Sequence, residues 1–148
     1  MTDWDIEFEH LWLELSAQRW AMVERFLFSY YCFREGYLSK QGKPDWETAR
    51  LSAPKADGCT SIKHAQLEPI VPLTVIVGEL KRYERDGELN RQSARRVLDS
   101  LLHFVVITKQ QKQALRQLGL ADSMPKEWYA STTREPYLRF SLTGITCS

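Results

Sequence analysis

The chain has 148 residues and a formal net charge of +1, with 43% hydrophobic and 26% charged residues. This length suits one domain with its own core, and 11% aromatic residues argue against disorder. The longest apolar runs, LFSYYCF and FVVI, are too short to cross a membrane, and the acidic N-terminus lacks a secretory signal pattern. Three widely spaced cysteines do not suggest a disulfide framework. We therefore expect a single cytoplasmic domain over residues 1–148.

Residues 1–35 are predicted to form an acidic, aromatic helix. Phe8, Leu11 and Leu15 recur at helical spacing, and Ser16 is a candidate internal N-cap that would split the helix. The second half is apolar on most sides, which is typical of either a central helix or an oligomer interface. The predicted interface residues are Phe26, Tyr30, Tyr31 and Phe33.

Residues 36–69 are predicted to be a long irregular loop. The stretch SKQGKPDWETARLSAPKADGCTS contains two glycines, two prolines and many small polar residues. A short helix, DWETARL, is expected inside it with Asp45 as its N-cap. Loops of this length are often functional or disordered.

Residues 70–130 are predicted to form a basic helical half. PLTVIVGELKRYERDG indicates a helix that Gly87 ends, although its β-branched residues also fit a strand beginning at Ile70. Asn90 is a good N-cap for the following helix. The segment FVVIT then either ends that helix or forms a short strand.

The last helices and the tail follow from capping signals. Thr108 is predicted to cap a helix that Gly119 ends, and Pro125 suits the first turn of a final short helix, PKEWYA, capped by Ser123 or Asp122. In the tail of residues 131–148, the stretch YLRFSLTGITC alternates apolar and polar residues, as in a single edge strand or an extended arm. The expected fold is a mainly α bundle of five or six helices with one long loop.

Charge is distributed unevenly along the chain. Residues 1–35 hold seven acids against three arginines, whereas residues 81–118 hold nine bases against four acids. Either the two segments attract each other within the fold or a dimer, or the basic segment faces an acidic partner. The nine bases are Lys81, Arg82, Arg85, Arg91, Arg95, Arg96, Lys109, Lys112 and Arg116.

The stretch ITKQQKQALRQLGLADSMPKEW has the outline of a helix-turn-helix. Leu118, Gly119 and Leu120 stand where such a motif has its tight turn. Asp122 would repel DNA phosphate at the N-terminal end of the expected recognition helix. Pro125 removes a backbone hydrogen bond from the same helix. An ordinary corner of two helices is the alternative.

Arg96 and His103 lie two turns apart in the predicted helix, so we expect them on one face. An arginine followed a few residues later by a histidine, in a helical domain, resembles the signature of HEPN-type ribonucleases. The resemblance implies a dimer in which His103 is the general acid–base and Arg96 stabilises phosphate charge. Val97 stands where that family usually has a polar residue. A solvated helix face is the alternative.

No metal or cofactor site is predicted. Cys59 and His64 would need Cys147 or His10 to complete a ligand set, and no close pair of cysteines or histidines supports one. Phosphate-binding glycine loops, nucleophile elbows and dinucleotide fingerprints are absent from the sequence.

The sequence favours a non-enzymatic regulatory or accessory protein that acts by binding. We expect a protein partner or self-association, with nucleic acid as a second candidate partner of the basic half and no membrane contact. A metal-independent HEPN-like ribonuclease and a helix-turn-helix DNA regulator are the alternatives.

Overall fold

A computed structural model describes all 148 residues as eight helices and a two-stranded sheet. The prediction of a mainly helical chain is confirmed, but three helices have seven residues or fewer, so the expected five or six become eight. None of the helices has both the length and the apolar character that a bilayer crossing requires. The helices are α1 (Asp3–Ser16), α2 (Trp20–Glu35), α3 (Trp46–Ser52), α4 (Leu73–Arg85), α5 (Arg91–Leu101), α6 (Lys109–Gln117), α7 (Lys126–Ala130) and α8 (Leu138–Thr143), and the strands are β1 (Gln66–Pro69) and β2 (Phe104–Ile107).

The first two helices form a hairpin because the predicted long helix breaks. Ser16 is the last residue of α1 rather than an N-cap, and Gln18 adopts a left-handed φ of 55° in the turn that follows. Helix α2 then packs against both α1 and α4, which makes it the central helix of the fold. The sequence had left that role and an interface as alternatives.

The segment FVVIT contributes a buried strand. β2 pairs antiparallel with β1, with Gln66 opposite Ile107 and Pro69 opposite Phe104. All four β2 side chains are buried, and Lys55 adds an isolated parallel bridge to Val106 on the other side of β2. The predicted loop of residues 36–69 therefore contains α3 and β1.

Local capping explains where several helices begin. The side chains of Asp45, Asn90 and Thr108 each accept a hydrogen bond from the backbone N–H three residues later, as predicted. Helix α7 differs, because Pro125 takes its N-cap position and no side chain caps it.

The tail corrects the prediction of a strand or arm. Residues 138–143 form α8, which contacts α6 and buries Phe140 and Arg139. Arg139 is 0% exposed, and one guanidinium nitrogen donates to Glu68 at 2.9 Å. The charge of Glu68 is shared with Lys112, which donates at 2.9 Å. This buried ion cluster joins β1, α6 and α8.

Candidate anion-binding cleft

A cavity of about 600 Å³ lies between α4, α5 and the segment that follows α7. We call it the arginine cleft. Its lining contains three arginines and one glutamate, which gives a formal charge of +2, together with several hydroxyl groups. The polar residues that matter for its chemistry are Glu79, Arg82, Arg96, Ser100, Thr132 and Arg134.

Glu79 is the anchor of the cleft wall. It follows Ile76 by one helical turn on the buried side of α4 and is 6% exposed. Its carboxylate accepts hydrogen bonds from Arg82 at 3.0 Å and from Arg134 at 3.3 Å. The hydrogen bond to Glu79 raises the pKa of Arg82. Two guanidinium groups thus neutralise one buried carboxylate, as burial requires.

Arg134 shapes the segment between α7 and α8. It adopts a left-handed φ of 48°, and one guanidinium nitrogen donates to the carbonyls of Trp128 at 2.6 Å, Ser131 at 2.8 Å and Tyr129. Its guanidinium carbon also lies 5.0 Å from the centroid of the Trp128 ring. The guanidinium of Arg134 therefore holds the segment at the rim of the cleft through hydrogen bonds to its backbone carbonyls.

Arg96 differs from the neighbouring arginines of α5. Arg91 pairs with Glu9 at 3.2 Å and Arg95 with Asp5 at 3.0 Å, both on α1. The Arg96 side chain is exposed in the cleft, and no carboxylate oxygen lies within 4.0 Å of it. Arg96 is thus a cation without a counter-ion in this chain.

Comparison of the chain with protein-family models, with curated proteins and with solved structures finds no match. The residues of the cleft themselves indicate what it can bind. A guanidinium presents a planar fork of N–H donors that suits carboxylate and phosphate groups. The hydroxyls of Ser100 and Thr132 make no hydrogen bond within the chain, so both are available as further donors.

The nine bases of residues 81–118 are distributed over different surroundings. Five have a carboxylate partner in the chain. Lys81 lies 5.8 Å from the centroid of the Trp20 ring. Four bases have no carboxylate partner, namely Lys81, Arg96, Lys109 and Arg116, and of these only Arg96 lines the cleft. Attraction between the acidic and basic segments thus operates inside the fold, through α1 and α5. The five paired bases are Arg82, Arg85, Arg91, Arg95 and Lys112.

The expectation that Arg96 and His103 share one helix face is wrong, because α5 ends at Leu101. The His103 ring instead lies against Arg34 and Asp99. Its Nε2 donates to the Asp99 carbonyl at 2.7 Å, and its Nδ1 lies 3.3 Å from a guanidinium nitrogen of Arg34. Both ring nitrogens are therefore engaged within the chain, by residues outside the arginine cleft.

The helix-turn-helix outline is only partly present. Helix α6 and the turn at Gly119, with φ 70°, have the expected form. Helix α7 has five residues, and its central Trp128 is 0% exposed. Five residues span only about 7.5 Å, which is too short for the three or four base contacts of a recognition helix. The stretch forms a corner whose second helix packs into the core.

Two of the four predicted interface residues belong to the core. Tyr30 and Tyr31 are buried beneath α1 and β2, where Tyr30 donates to Asp99 at 3.1 Å. Burial raises the pKa of Tyr30 to about 12 and also raises the pKa of Tyr31. Neither side chain is available to a partner. Phe26 and Phe33 are half-buried.

The candidate metal ligands do not come together. Cys59 is buried and Cys147 is exposed, and both are free thiols. No group of three or more His, Cys, Asp or Glu side chains is arranged to hold a metal ion.

Sequence reasoning included Arg82 and Arg96 but missed Glu79 and Arg134. One signal for Glu79 was present, since an acid within the apolar stripe of an amphipathic helix requires a cationic partner. No local signal identified Arg134, which lies 55 residues further along the chain.

Proposed function

We propose that the protein is a non-enzymatic binding protein, with a regulatory or accessory role, that receives an anionic group of a protein partner in the arginine cleft. The observation that carries this proposal is the exposed Arg96 guanidinium, which has no counter-ion and lines the same cavity as Arg82 and Arg134. An acidic side chain of a partner would supply the missing charge.

The charge and the shape of the cleft both favour an anionic ligand. Arg82 and Arg134 are held by Glu79, so the wall that faces the ligand is ordered before binding and loses little entropy. Arginine, which lines this concave site, is among the residues that most often dominate binding energy at protein interfaces. Tyr129, which also lines the cleft and is 48% exposed, offers a ring surface beside it.

We place the protein in the cytoplasm as part of this proposal. The three cysteines are free, which suits a reducing compartment.

Nucleic-acid binding and RNA cleavage do not form part of the proposal. A phosphate backbone needs a track of unpaired cations, whereas most bases of residues 81–118 already have partners. The engaged ring of His103 and the short α7 likewise give no support to the ribonuclease and the helix-turn-helix alternatives.

Fluorescence anisotropy with a labelled glutamate-rich peptide tests the proposal. We expect binding at low salt that weakens as added salt screens the charges. Arg96→Glu should abolish it. Arg116→Glu makes the same change in charge at an exposed position on α6 and should bind like the parent protein.

Two results would count against the proposal. One is the absence of binding by the parent protein at low salt, and the other is equal binding by Arg96→Glu and the parent. An RNA oligonucleotide in a parallel titration separates the alternatives. RNA binding that both charge reversals weaken equally would favour a nucleic-acid partner.

A further inference from the structure

We infer that the anionic group that the arginine cleft receives is a phosphate monoester on a phosphorylated serine or threonine of the partner. This inference rests on the proposed function and specifies the chemistry of the same site. Two features of the cleft favour phosphate over carboxylate, namely its formal charge and the number of unsatisfied donors.

The charge of the cleft matches a dianion. Glu79 neutralises part of the positive charge, and the lining retains a formal +2 from three arginines and one glutamate. A phosphate monoester carries a charge of about −1.5 to −2 at neutral pH, whereas a carboxylate carries only −1. A carboxylate would leave the cleft with excess positive charge.

The unsatisfied donors of the cleft also exceed what one carboxylate accepts. The guanidinium of Arg96 and the hydroxyls of Ser100 and Thr132 have no hydrogen-bond partner in the chain, and they come from α5 and from the opposite rim. A carboxylate has two acceptor oxygens in one plane. A phosphate monoester has three terminal oxygens that point in different directions and can meet donors on both sides of the cleft.

A side chain of a partner is a better source than a free small phosphate. The cleft is open, and exposed Tyr129 and Thr132 stand at its rim, where the residues that flank a phosphorylated side chain would lie. Recognition of a phosphorylated motif by arginines is an established way of reading peptides.

Three peptides with one sequence test the inference. They carry phosphoserine, glutamate or serine at the central position of the same acidic background, and binding is followed by isothermal titration calorimetry. We expect the phosphopeptide to bind at least about tenfold more tightly than the glutamate peptide, because phosphate carries a charge of about −1.5 to −2 and three acceptor oxygens. Arg96→Gln should remove this preference, whereas Arg116→Gln should keep it. Equal affinity for the three peptides would overturn the inference and leave the proposed function standing.

The pH dependence provides a second readout. No histidine lines the cleft, whose charged and titratable groups are Glu79, three arginines, Tyr83 and Tyr129. A loss of affinity between about pH 7.5 and about pH 5.5 would then report protonation of the phosphate, whose second pKa is about 6. The glutamate peptide stays ionised over this range and should bind unchanged. Parallel profiles for the two peptides would contradict the inference.

Competition with O-phosphoserine distinguishes the source of the phosphate. We expect the free amino acid to displace the phosphopeptide only weakly, because it lacks the flanking contacts at the rim. Displacement at concentrations similar to those of the phosphopeptide would assign the cleft to a small phosphate and overturn the partner side chain as its source. Absence of binding by all three peptides would instead remove the proposed function.

Discussion

The ion clusters around Glu68 and Glu79 differ in how far solvent reaches their arginines. We call the cluster around Glu68 closed and the cluster around Glu79 open. Around Glu68, the guanidinium of Arg139 is 0% exposed and also donates to the carbonyls of Pro69, Ile70 and Leu120. Around Glu79, the side chains of Arg82 and Arg134 are 34% and 19% exposed and border the open cleft. The first cluster binds only its own chain, whereas the second stands beside an unpaired cation.

The pKa values of the arginines reflect this difference. Burial lowers the pKa of Arg139, and the charge of Glu68 opposes that effect. In the open cluster the hydrogen bond to Glu79 outweighs desolvation and raises the pKa of Arg82. The buried cation of Arg139 is costly to desolvate and stabilises the fold through contacts within the chain, whereas the partly solvated cation of Arg82 remains accessible to a ligand.

Breaking the closed cluster should have the largest effect on stability. Arg139→Met removes the buried cation and leaves Glu68 with Lys112 as its only counter-ion. We expect a loss of about 3–5 kcal/mol in the free energy of unfolding, measured with urea. Lys112→Met retains Arg139 and serves as the milder variant if Arg139→Met does not fold. A loss below about 1 kcal/mol in both variants would show that the cluster does not hold β1, α6 and α8 together.

Breaking the open cluster should lower the free energy of unfolding by less than breaking the closed cluster. Glu79→Gln leaves Arg82 and Arg134 without a carboxylate, but both reach solvent. We expect a loss of about 1–3 kcal/mol, since the group removed is buried and its partners are not. Urea unfolding of Glu79→Gln and Arg139→Met under the same conditions measures the two losses. If Glu79→Gln lost as much stability as Arg139→Met, the two clusters would not differ in their contribution to the free energy of unfolding.

The ion pair between Asp5 and Arg95 is half-buried and offers a reference for the two clusters. Hydrogen bonds from the backbone and side chain of Thr2, and then from Arg95, lower the pKa of Asp5 to about 2. In Arg95→Ala we expect the pKa of Asp5 to rise part of the way towards its ordinary value of 3.8, because the contacts with Thr2 remain.

The direction of the pKa shift of Asp5 determines the pH range over which it contributes to stability. A carboxyl group with a lowered pKa stabilises the fold above its unfolded pKa, and that contribution is lost as the pH falls from about 4 towards about 2. NMR titration of the Asp5 carboxyl carbon checks the shift in both proteins. An unchanged pKa in Arg95→Ala would mean that Thr2 alone sets it.

The elements that the sequence predicted well are those with local signals. The N-caps Asp45, Asn90 and Thr108 act within three residues of themselves, so their sequence context is sufficient. Helix α8 was missed because its burial depends on the contacts of Arg139 with Glu68, 71 residues away.

The cleft was predictable only in part, for the same reason. Arg96 was among the predicted binding residues, but its lack of a counter-ion depends on which acids α1 directs to Arg91 and Arg95. The left-handed turn at Arg134 completes the site and carries no recognisable sequence signal.

Arg96→Glu, compared with Arg116→Glu, tests the central claim most directly. Both side chains are exposed and unpaired, so we expect each variant to keep its stability within about 0.5 kcal/mol of the parent. Titration with the acidic peptide at low salt should then show binding by Arg116→Glu and none by Arg96→Glu. Unchanged peptide binding in Arg96→Glu, with stability intact, would contradict the claim that the arginine cleft is a binding site.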